Sequence, residues 1–81
     1  MNKHRFKPGD VATPIALSLF GVDCLAIRHA EGGQILDTVR GGERVLIVES
    51  REGELPAVVV LTARGFVGKV WANFLELVER P

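Results

Sequence analysis

Arg44-Val45-Leu46-Ile47-Val48-Glu49 and, a short charged loop later, Ala57-Val58-Val59-Val60-Leu61-Thr62 decide the fold. Both runs are rich in β-branched residues, which favour extended backbone. Between them Ser50 to Glu54 carries Gly53, a hairpin signal, and Leu55-Pro56 leads into the second run. Pairing the two across that loop turns Val45 and Ile47 inward, with alternate residues of 58–61 facing them. The second run is apolar at successive positions, so its outer face is apolar as well. That face is expected to be covered by the N-terminal segment or by a partner.

Turn signals divide the rest of the chain. Lys7-Pro8-Gly9-Asp10, Arg40-Gly41-Gly42-Glu43 and Ala63-Arg64-Gly65 each combine residues that reverse the backbone. Short extended segments are predicted at Val11 to Thr13 (limited by Pro14), Cys24 to Arg28, Ile35 to Val39, Phe66 to Val70 and Leu75 to Val78. His29 to Gly33 reads as a loop, and Trp71 to Phe74 as one tight helical turn. Ile15 to Phe20 fits a strand or a single helical turn equally well. No stretch sustains the apolar stripe of a long helix. The expectation is an all-β protein: a small barrel of five to six strands over residues 22–79, with an N-terminal arm and extension over 1–21.

The composition suits this. Of 81 residues, 47% are hydrophobic, and the 9 glycines and 4 prolines supply turns. The 10 basic and 10 acidic residues cancel, so the basic surplus of a strong nucleic-acid binder is missing. The charge is uneven, because Lys3, Arg5 and Lys7 make the first residues basic. Cys24 is the single cysteine, which excludes an intrachain disulfide and fits a reducing compartment. No signal-peptide pattern and no apolar run of membrane-spanning length is present, so a cytoplasmic location is expected.

Leu25-Ala26-Ile27-Arg28, followed by Gly33, Ile35, Val39, Gly42, Val45 and Ile47, resembles the opening of the bacterial SH3-like pattern. Gly65-Phe66-Val67-Gly68-Lys69-Val70-Trp71-Ala72-Asn73-Phe74-Leu75 is similar to that family's ending, a strand running into a one-turn helix. The resemblance covers about residues 22–79 and implies an SH3-like barrel with Gly41-Gly42 at a turn where two strands diverge. It also implies a ligand surface at Phe74 and Asn73. Departures are clear. Lys69 stands where the family often has Trp, Leu55-Pro56 where an aromatic often opens the central strand, and the chain has no Tyr and one Trp. A proline-rich peptide needs parallel aromatic ridges, so that ligand fits poorly.

Chemistry finds little support. His4, Cys24 and His29 match no zinc spacing, and Cys24 with His29 lacks a third, orienting residue. Glu52 with Glu54, and Glu76 with Glu79, read as solvated charge because nothing encloses them. The paired glycines lack phosphate-loop context. The sequence therefore points to a non-catalytic protein-interaction module without cofactor or metal. Its partner surface is expected at Trp71, Phe74, Lys69, Asn73 and Leu55, and self-association is compatible with the apolar excess. Size and fold analogy add the expectation of a phage or mobile-element protein that modulates a larger host complex. A second reading is a small nucleic-acid-binding barrel using Lys3, Arg5, Lys7 and Arg64. A third is a cell-wall peptide-binding SH3 module.

Overall fold

A computed structural model describes residues 6–15, 24–51 and 56–81. Seven strands form one antiparallel sheet: β1 (Val11–Pro14), β2 (Leu25–Arg28), β3 (Ile35–Val39), β4 (Val45–Arg51), β5 (Ala57–Leu61), β6 (Val67–Trp71) and β7 (Leu75–Glu79). Their order is β3-β2-β6-β5-β4-β1-β7, and the sheet curls into a half-barrel about its apolar face. A 3-10 turn, Ala72–Phe74, links β6 to β7. The all-β barrel expected from the sequence is thus present: six strands fall within residues 22–79, and the seventh, β1, comes from the N-terminal extension.

The β4–β5 hairpin has the anticipated register. Ile47 faces Val60, and Val45, Ile47, Val58 and Val60 are all buried. A bulge between Ile47 and Glu49 bends β4, and similar irregularities interrupt the β1–β7 and β2–β3 ladders. Such insertions increase local twist and let a small sheet close around a core. Phe6, Ala12, Ile27, Val39, Val70, Ala72 and Leu75 complete that core.

Gly42 takes a φ of 90°, and the Glu43 amide donates to the Arg40 carbonyl at 3.0 Å. That turn sends β3 and β4 to separate parts of the sheet, as the resemblance implied. The N-terminal stretch is more than an appended arm. Phe6 is buried in the core, and β1 lies between β4 and β7. Asp10 anchors this entry. Its carboxylate is 1% exposed, accepts the Lys7 amide at 2.9 Å and pairs with Arg80 at 2.9 Å. The bond from Arg80 holds the Asp10 carboxyl below its ordinary pKa, against the opposing effect of burial.

On the outer face, register aligns Val67, Leu61, Leu46 and Val11 across four strands. Val67 and Leu46 are exposed, so this part of the outer face keeps solvent contact. Val59 is buried, flanked in register by Glu49 and Lys69.

Candidate functional site

Strand alternation builds the site. In β6, Gly68 and Val70 turn inward and are buried, which puts Lys69 and Trp71 on the outer face. Trp71 is the last residue of β6, still extended at φ −71° and ψ 130°, and the 3-10 turn begins after it. Two backbone bonds fix that turn. The Ala72 amide donates to the Pro56 carbonyl at 3.0 Å, and the Ile15 amide to the Phe74 carbonyl at 2.9 Å. Trp71 also sits opposite Ala57, next to Pro56. Trp71 remains 42% exposed.

Trp71 forms the wall between two grooves. One, about 280 Å³, is lined by Pro56, Trp71, Asn73 and Phe74. It is almost wholly apolar, with Asn73 as its side-chain amide. The other, about 350 Å³, is lined by Leu25, Ala26, Arg28, Gly33, Lys69, Val70 and Trp71. It opens where β2 and β6 part, since these strands are in register at Arg28 and Lys69 alone. Gly68 makes that meeting possible: a Cβ there would lie 2.7 Å from the Arg28 carbonyl oxygen and 2.7 Å from Ile27 Cγ2.

The second groove is cationic. Arg28 and Lys69 face each other across the seam, an arrangement that disfavours the free protein. Neither takes part in the ion pairs among the described residues, which join Arg51 to Glu49, Arg64 to Asp37 and Glu43, and Arg80 to Asp10. The Arg28 guanidinium donates to the Gly33 carbonyl at 2.9 Å, bracing the 29–33 loop. His29 Nδ1 accepts the Glu31 and Gly32 amides at 3.1 and 3.0 Å and so ties the loop back.

Of the residues singled out in the sequence, Trp71, Phe74, Lys69 and Asn73 come together here. Leu55 lies outside the described residues, as do Lys3 and Arg5. Lys7 is exposed at the turn before β1. Arg64 is occupied elsewhere: it donates to Asp37 at 2.9 Å, to Glu43 at 3.4 Å and to the Thr38 carbonyl. This brace ties the β5–β6 turn to the edge strand β3. Burial pushes the Asp37 carboxyl up, but bonds from Thr62, Arg64 and the Thr38 amide outweigh it and leave the pKa lowered. Sequence reading missed Pro56 and Arg28 as groove residues. Pro56 was legible only as a departure from an aromatic pattern, and the Arg28–Lys69 encounter joins residues far apart in the chain.

Cys24 is half-buried and unpaired. Among the described residues, no cluster of three or more His, Cys, Asp and Glu side chains could hold a metal ion, and no helix is long and apolar enough to cross a membrane. No protein-family model, curated protein or solved structure matches the chain.

Proposed function

We propose that the protein is a non-catalytic interaction module that docks a protein segment on the face divided by Trp71. One observation carries the reading: the chain's single tryptophan stands 42% exposed on a backbone-fixed ridge, with an apolar groove on one side and a cationic, partly apolar groove on the other. Tryptophan is the residue type most enriched where truncation costs most at interfaces. Leaving it in water on a rigid element is uneconomical unless something covers it. The partner-facing residues are Trp71, Phe74, Asn73, Pro56 and Lys69. Resemblance to bacterial SH3-like barrels favours the same reading, because the ligand surface implied there falls on Phe74 and Asn73. Modulation of a larger complex is the role such a small, site-bearing barrel would suit.

Quantitative affinity capture with wild type, Trp71→Ala and Val48→Ala tests this. Val48 is also exposed and lines neither groove. A partner retained by wild type and Val48→Ala but lost with Trp71→Ala supports the reading. Identical capture by all three removes it, provided circular dichroism shows the variants folded.

A further inference from the structure

We infer that the groove between β2 and β6 takes an acidic peptide segment, with carboxylates on Arg28 and Lys69 and an apolar side chain against Trp71. This rests on the docking reading above and names the chemistry of its partner. β2 and β6 meet in register at one pair of residues, and both are cations. Like charges directly opposite each other destabilise a sheet. Elsewhere Arg51, Arg64 and Arg80 each have a carboxylate, whereas Lys7, Arg40 and Arg44 lie at turns outside the strands and form no ion pair among the described residues. At the seam no acidic residue among the described residues lines the groove, although Leu25, Ala26, Val70 and Trp71 make the rest of its wall apolar. An uncompensated cation pair beside an apolar cleft is complementary to an anionic, partly apolar occupant. Arg28 is already oriented by its bond to Gly33, so little side-chain freedom is lost when a carboxylate arrives.

The number of cations separates a peptide from a nucleic acid. A single strand is held by a basic groove that tracks several phosphates, with bases stacked on successive aromatics. Here, among the described residues, two cations and one exposed indole line the groove, the chain is neutral overall, and Arg64 is committed to Asp37 and Glu43. That supply suits one or two carboxylates.

Selection from a random short-peptide display library against the immobilised full chain reads the preference directly. The expected outcome is enrichment of acidic sequences carrying an aliphatic or aromatic residue. Binding of a selected peptide, synthesised with a fluorescent label, should weaken roughly tenfold with Lys69→Glu, the worth of one charge-assisted hydrogen bond. The same substitution places opposite charges across the seam, so the free protein should unfold at equal or higher urea concentration than wild type. A simple folding defect would move stability the other way. If Trp71-dependent peptides emerge but are neutral or basic, or ignore Lys69→Glu, the acidic-segment inference falls while the docking reading stands. If no peptide distinguishes wild type from Trp71→Ala, the docking reading falls with it. Tighter binding of oligothymidylate, with a steep log–log salt slope, overturns the peptide in favour of nucleic acid.

Discussion

A methyl group added at position 68 tests the seam on which the second groove depends. Gly68 is buried in β6 with an ordinary strand conformation, so backbone strain does not exclude alanine. Local preference alone predicts that Gly68→Ala stabilises the strand by roughly 0.5–1 kcal/mol. Packing predicts the opposite. The new Cβ would stand 2.7 Å from the Arg28 carbonyl oxygen and from Ile27 Cγ2, against the 3.4 Å at which ordinary contact begins. One obstacle is backbone, so β2 must retreat by several tenths of an ångström. Ile27 is a core residue with no exposure, and the shift is felt throughout its packing. Overpacking of this kind costs about 1–3 kcal/mol. In urea, where a domain of this size loses about 1 kcal/mol per molar, the midpoint should fall by about 1–3 M, read by far-UV circular dichroism. The loss should come with weaker binding of any ligand that touches both Arg28 and Lys69. A midpoint equal to or above wild type would refute the close approach of β2 and β6 and, with it, the groove between them.

Three further outcomes follow from the same geometry. Asp10→Asn should cost about 1–2 kcal/mol at neutral pH, because a buried group loses charge-assisted bonds. Since Arg80 depresses the Asp10 pKa, the stabilisation is present above the unfolded-state value and lost as pH falls through the folded-state value. The gap between wild type and Asp10→Asn in urea midpoint should therefore shrink below about pH 3.8. Arg64→Ala should lower the thermal midpoint, and Arg64→Lys should not restore it, because one ammonium cannot reach Asp37, Glu43 and the Thr38 carbonyl together. Ile47→Ala should cost about 2–4 kcal/mol in urea unfolding, the range for emptying a fully buried aliphatic site.

The barrel was legible because its signals are local. The β-branched, apolar run in Arg44 to Glu49, the apolar run Ala57 to Leu61 and the glycine turns at 41–42 and 65 each act over a few residues. The strand order was harder. Val11 to Thr13 reads as a short extended segment, but only β4 and β7, far along the chain, make it an interior strand. Trp71, Asn73 and Phe74 could be found because they are near neighbours on one strand end and turn. Arg28 and Pro56 could not, since their roles arise from pairing with Lys69 and from the bond to Ala72. Arg64 shows the reverse: in the sequence it is a loop cation, and in the fold its charge is spent on Asp37 and Glu43.

The docking claim meets its most direct test in amide and indole NMR shifts during titration with a selected peptide. The indole N–H of Trp71 and the amides of Lys69, Asn73 and Phe74 should move together and saturate at one stoichiometry. The outer row of Val67, Leu61, Leu46 and Val11 should stay still. Shifts centred on that row, with the indole signal unchanged, would contradict the account.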